Sequence, residues 1–173
     1  MPTAIAIWFI SYVGYCLARL GITDSISDTW YKLQEKLGNQ WLFEVFCGGL
    51  GLGLILLANQ YNLHPDAELA ITVSAFSAWA VAVCANFRYG QKERKLQGRK
   101  MTRVDILHYG FSGVLIGGCL IGLWIQMGFL HTAVFAIGVL AILLAKKKIR
   151  KVPAIWAIEV WAFIVVEHGF FKL

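Results

Sequence analysis

The stretch ILHYGFSGVLIGGCLIGLWIQMGFLHTAVFAIGVLAILLA, residues 106–145, is one continuous apolar run of forty residues. A bilayer core about 30 Å thick is crossed by about 20 apolar residues in a helix. The run is therefore long enough for two membrane-spanning helices. We predict a tight turn between them near Gln126, Gly128 and His131.

The rest of the chain has the same apolar character. Of its 173 residues, 58% are hydrophobic and 15% are charged, and the mean hydropathy is +0.64. These values exceed what a soluble domain of this length carries, so they predict an all-α, polytopic transmembrane bundle that occupies residues 1–173 as a single domain. Six spans are predicted, at about residues 3–20, 42–60, 68–87, 106–125, 129–145 and 153–171.

The basic residues predict the orientation of these spans. Six spans place the links after spans one, three and five on one side, and that side receives all Lys and Arg residues except Lys172. By the positive-inside rule, this side faces the cytoplasm and both termini face outward. The net charge of +6 is then explained by contact with anionic membrane lipids, and we predict no nucleic-acid partner.

The link "GITDSISDTWYKLQEKLG", residues 21–38, has two interpretations. In the first, Ser25 and Asp28 form a capping pattern, apolar residues recur at helical spacing, and Gly38 ends a short amphipathic helix at the membrane interface. In the second, the segment is a lid, and Ser25, Ser27 and Asp28 bind a ligand on the cytoplasmic side. Sequence alone leaves both open.

Ionisable residues inside spans are costly, so each one is a candidate for function. Near the predicted cytoplasmic side these are Glu44, Asp105, His108 and Glu159, and Ser112 continues the helical face of Asp105 and His108. In one interpretation they form buried ion pairs and hydrogen bonds. In the other they converge on a metal, with His108, Asp105 and Glu44 as ligands, or on a catalytic water.

Glu159 lies far from either end of the last span, and no residue on its own helix is an evident partner. It is a candidate both for ligand binding and for catalysis. Glu167 and His168 lie near the outer end of the same span, where we expect them to contact interfacial water, with a role in proton entry as the alternative. Because neighbours on a helix point about 100° apart, these two are not expected to serve one site.

Glycine pairs with GxxxG spacing occur in spans two and four. This spacing lets helices approach closely in lipid, either within one chain or between two copies of it. Both alternatives are open, so a homo-oligomer through spans two and four is one predicted assembly. The pairs are Gly49 with Gly53, Gly113 with Gly117, and Gly118 with Gly122.

The segments SISDTWY, FCGG, LHYGFSG and PAIWAIEVWAFIVVEHGFFK together resemble those of small, uncharacterised bacterial membrane proteins that carry an SISxxYY-type segment after the first helix. Trp30 stands where that pattern has a Tyr. The resemblance implies a location in the bacterial inner membrane and assigns no activity.

A more distant likeness is to the CREST group of membrane hydrolases and receptors. That likeness implies seven helices and a zinc ion held by three His, with Ser and Asp nearby. This chain has six predicted helices and no HxxxH, and its His108 and Ser112 form an HxxxS in the reverse order.

Three functions follow from these patterns. The first is a non-enzymatic bundle that binds lipid or another hydrophobic ligand, or that serves as a subunit of a membrane assembly; it needs no cofactor. The second is an intramembrane, zinc-dependent hydrolase of lipid amides or esters, in which Asp105, His108, Ser112 and Glu159 are the candidate catalytic residues. The third is proton or ion translocation through Glu159.

Overall fold

The structure is a computed structural model, and it describes residues 2–26, 28–38, 41–85, 103–145 and 153–173. Within these residues the chain is all-helical, as predicted, and contains seven α-helices and no strand. In chain order they are α1 (Pro2–Leu20), α2 (Thr29–Leu37), α3 (Trp41–Gln60), α4 (Pro65–Ala85), α5 (Arg103–Met127), α6 (Leu130–Ala145) and α7 (Ala154–Phe170).

Four of these helices, α1, α3, α4 and α5, are long and apolar enough to cross a membrane. The sequence predicts six spans. The other two predicted spans correspond to α6, an apolar helix of 16 residues, and α7, a helix of 17 residues. At a rise of 1.5 Å per residue each is about 25 Å long, a little less than the thickness of a bilayer core.

The forty-residue apolar run is divided where the turn was predicted. Helix α5 ends at Met127 and α6 begins at Leu130. Between them Gly128 has a φ of 83°, a left-handed conformation that is costly for a residue with a Cβ atom. Its amide N–H donates to the carbonyl of Trp124 at 2.8 Å, which caps the C-terminus of α5.

Helix α2 ends at Leu37, and the next residue, Gly38, is the stop residue that the sequence predicts: it adopts the left-handed conformation of a helix C-cap. Its start differs from the simple capping pattern. Ser25 Oγ accepts a hydrogen bond from the Asp28 amide at 3.1 Å, but the helix itself begins at Thr29. The Asp28 amide also lies 3.2 Å from the carbonyl oxygen of Ser25, and the amide of Ile26 donates to Glu159 of α7, so these contacts precede the helix.

Five helices form a closed ring in the order α1, α3, α4, α5, α7, with α7 returning to contact α1. Helix α6 lies outside the ring against α5 and α7, where the indole N–H of Trp161 donates to the carbonyl of Phe135 at 3.3 Å. The ring has two ends. One end, which we call the α2 end, contains α2 and the starts of α3, α5 and α7. We call the other the opposite end. There the His64 amide donates to Gln126 Oε1 at 2.9 Å.

Two of the three glycine pairs are used for packing within the chain. A Cβ atom at Gly49 would lie 2.5 Å from Trp8, and one at Gly53 would lie 2.8 Å from Ile5, so α1 packs directly on α3. Gly118 and Gly122 pack against α4 in the same way. By contrast, a Cβ at Gly113 or Gly117 would meet no atom of the described residues within 4 Å. Oligomerisation through these helices stays a prediction.

Candidate functional site

The helix ring encloses a cavity of about 110 Å³. Its wall is built almost entirely from apolar side chains of α1, α3, α4, α5 and α7, and its polar groups are two carboxylates, one hydroxyl and two thiols. Lining residues such as Leu115 and Phe163 are only partly buried, so the cavity is not sealed from the outer face of the bundle. The carboxylates belong to Glu159 and Glu167, the hydroxyl to Ser112, and the thiols to Cys47 and Cys119.

The seam between α1 and α7 closes the ring on one side of the cavity. Here Phe9 of α1 stacks on Phe163 of α7, with ring centroids 3.4 Å apart and planes within 6° of parallel. Both rings also line the cavity. Among the neighbouring pairs in the ring, α1 and α7 share the least extensive contact, so this aromatic pair contributes much of the packing at the seam.

At the α2 end the cavity is closed by the segment that connects α1 to α2. The side chain of Ile26 lines the cavity, and its amide N–H donates to a carboxylate oxygen of Glu159. Thr23 Oγ1 donates to the carbonyl of Ser25 at 2.6 Å, and both residues are buried. The connecting segment is therefore packed into the bundle rather than lying wholly on its surface.

Helix α1 holds the same segment from the other side. The hydroxyls of Tyr12 and Thr29 are hydrogen-bonded to each other, and Thr29 Oγ1 also donates to the carbonyl of Ile26. All three residues are buried. Since Glu159 and Tyr12 lie on different helices, the segment joins α1, α2 and α7 at this end of the cavity.

At the opposite end the cavity reaches Glu167. The side chain is buried, with 6% of its surface exposed. Within the part of the chain that the structure describes, neither of its carboxylate oxygens has a hydrogen-bond partner. The expectation that Glu167 contacts interfacial water is therefore wrong, while His168, next to it, is exposed and contacts the ring of His131 at 5.8 Å between centroids.

The predicted face of α5 is present, but its members have different surroundings. Asp105 and His108 are fully buried, and His108 Nδ1 lies 3.2 Å from the carbonyl oxygen of Val81 on α4. Ser112 donates back to the carbonyl of His108 at 2.9 Å, and it is the member of this face that lines the cavity.

The remaining candidates do not complete a metal centre in the described residues. Glu44 lies half-buried in the first turn of α3, Asp28 is half-buried, and Ser27 lies outside the described residues. Nowhere in residues 2–26, 28–38, 41–85, 103–145 and 153–173 do three His, Cys, Asp or Glu side chains converge closely enough to hold a metal ion. The zinc-dependent hydrolase stays a prediction.

Two features of the site were missed by reasoning from sequence. The cavity itself arises from how five helices close into a ring, which no single helix encodes. The hydrogen bond between the Ile26 amide and Glu159 of α7 joins positions 133 residues apart. A signal was present for each carboxylate, however, because Glu159 and Glu167 are eight residues apart on one helix, within about 80° of the same face.

In comparisons with known proteins, no family model, curated protein or solved structure matches this chain.

Proposed function

We propose that this chain is a six-span integral membrane protein that binds a lipid or another hydrophobic ligand inside the ring formed by α1, α3, α4, α5 and α7. In this proposal α6 and α7 cross the bilayer with α1, α3, α4 and α5. The ends rich in Lys and Arg face the cytoplasm, α2 lies near the interface, and the membrane is the bacterial inner membrane. The apolar cavity with only a few polar groups is the observation that supports ligand binding.

The size of the cavity limits the ligand. An apolar cavity of roughly 150 Å³ lined by Leu, Ile and Phe is known to stay dry and to bind benzene. The cavity described above is somewhat smaller, at about 110 Å³. It suits a short alkyl segment, such as part of an acyl chain whose remainder passes between helices into the bilayer.

Filling the cavity tests this proposal. Ala162 of α7 lines the cavity and is buried, so Ala162→Phe places a ring in the space that the ligand needs. Ala136→Phe, on the exposed surface of α6, is the matched control. Native mass spectrometry of the detergent-purified protein is expected to detect a bound lipid or apolar molecule in the parent and in Ala136→Phe, with at least a tenfold lower occupancy in Ala162→Phe. Equal occupancy in all three proteins, or none in the parent, overturns the proposal.

Proton translocation is a second candidate, and the position of the two carboxylates favours it. Glu159 and Glu167 line the same cavity, and eight residues of helix separate them by about 12 Å along the axis. In this alternative the cavity holds water molecules and not a hydrophobic ligand, and the water molecules connect the two carboxylates. Proton flux into liposomes is expected to fall at least tenfold in Glu159→Gln and Glu167→Gln and to be unchanged in Glu68→Gln, whose carboxylate is exposed. If the parent protein gives no proton flux above that of empty liposomes, this candidate is ruled out.

A further inference from the structure

The two carboxylates of the cavity differ in their hydrogen bonding. Glu159 accepts the amide N–H of Ile26 at the α2 end. Glu167, at the opposite end, has no hydrogen-bond donor for either oxygen among the described residues. Both belong to α7 and both line the same apolar space. Within the described residues, one carboxylate of the cavity therefore has a hydrogen-bond donor and the other has none.

A buried carboxylate without a donor is unfavourable. Removing a polar group from water without providing a hydrogen bond costs free energy, and the cost is larger when the group is ionised. Val166 and Phe170, which lie one and three residues from Glu167 on α7, also line the cavity and are apolar, and Cys119 of α5 contributes a thiol. A positively charged hydrogen-bond donor entering the cavity would compensate this cost, and such charge-assisted bonds are the stronger class.

We propose that the cavity selects a ligand with a cationic amine head and a short alkyl chain, in which the ammonium group binds the carboxylate of Glu167. This proposal rests on the proposed function, since it requires that the cavity takes up a ligand. The alkyl chain then extends from Glu167 along the apolar wall toward Ile26 and Glu159. The cavity of about 110 Å³ holds only the first part of an eight-carbon chain, and the remainder passes between helices into the bilayer, as in the proposed function.

Three probes of equal chain length distinguish the contribution of the head group to binding from that of the alkyl chain. Octylamine, octanol and octane are added to the full-length protein in lipid nanodiscs, and ligand binding is measured as the concentration-dependent rise of the thermal unfolding midpoint. For the parent protein, octylamine is expected to bind at least tenfold more tightly than octanol, and octane most weakly. Glu167→Gln is expected to remove this preference, so that octylamine binds no more tightly than octanol, while octane binding stays unchanged.

Two control variants make each outcome decisive. Glu68→Gln removes an exposed carboxylate from α4 and is expected to leave the preference for octylamine intact. Ala162→Phe fills the cavity and is expected to abolish the effect of all three probes. Two results overturn the role of Glu167: octylamine still binds more tightly than octanol in Glu167→Gln, or it binds no more tightly than octanol in the parent. In either case the cavity still binds a hydrophobic ligand, so the proposed function stands. If no probe raises the midpoint of the parent, the hydrophobic-ligand function itself fails.

Discussion

Glu159 of α7 accepts a hydrogen bond from the backbone amide of Ile26, a residue in the segment between α1 and α2. Ile26 at the same time places its side chain in the cavity wall. One interaction therefore fixes both the conformation of the connecting segment and the closure of the cavity at the α2 end. A carboxylate in an apolar helix is retained at lower cost when it has a donor of this kind.

Removing this acceptor is expected to destabilise the protein. Glu159→Ala leaves the Ile26 amide without its hydrogen bond in a buried segment, at a cost of about 1–3 kcal/mol. Glu159→Gln keeps an oxygen acceptor on a side chain of the same length, so its cost is expected to be smaller. Thermal unfolding in nanodiscs, followed by circular dichroism, measures both. Equal midpoints for the two variants would show that the hydrogen bond does not stabilise the fold.

The contact between α4 and α5 depends on Gly118. A Cβ atom at this position would lie 2.8 Å from the carbonyl oxygen of Ala70, an atom of the backbone that cannot move aside easily. Gly118→Val is therefore expected to lower stability by about 1–3 kcal/mol through overpacking. Gly113→Val is the matched control on the same helix, because a Cβ at Gly113 meets nothing within 4 Å among the described residues.

The outcome for Gly113→Val also bears on assembly. If that variant is as stable as the parent but its mass in native mass spectrometry falls from that of an oligomer to that of a monomer, the open glycine pair on α5 forms a contact between copies. If Gly113→Val is destabilised as strongly as Gly118→Val, the prediction that a side chain is tolerated at Gly113 but not at Gly118 is wrong.

Hydropathy and glycine spacing were enough to predict an all-helical membrane-type fold, because both are local properties of the chain. The division of the apolar run at Gly128 was predictable for the same reason: one glycine with a positive φ ends α5. The partner of Glu159 was not predictable, since the donor is a backbone N–H, which every residue except proline carries. The burial of Glu167 was also missed, because a position near a helix end normally implies contact with water.

The orientation predicted from Lys and Arg is tested by labelling from outside the cell. In a background with the four native cysteines replaced by alanine, Gln91→Cys lies in the basic link between the third and fourth predicted spans, and Asn62→Cys lies in the preceding link. Because the basic link is expected in the cytoplasm, a membrane-impermeant maleimide added to intact cells should label Asn62→Cys and leave Gln91→Cys unmodified until the cells are lysed. Labelling of both sites in intact cells, or the reverse pattern, contradicts the predicted orientation.

Glu167 connects stability to ligand binding. Replacement by Met keeps a long side chain but removes a buried carboxylate whose oxygens have no donor among the described residues. Glu167→Met is therefore expected to raise the unfolding free energy of the ligand-free protein by about 1–3 kcal/mol. The same variant is expected to lose the preference for octylamine over octanol. A stable but unselective variant is typical of a group that is retained for function at a cost in stability. A lower midpoint in Glu167→Met than in the parent would mean that the carboxylate contributes to folding, and its assignment as a ligand-binding group would then lose its energetic basis.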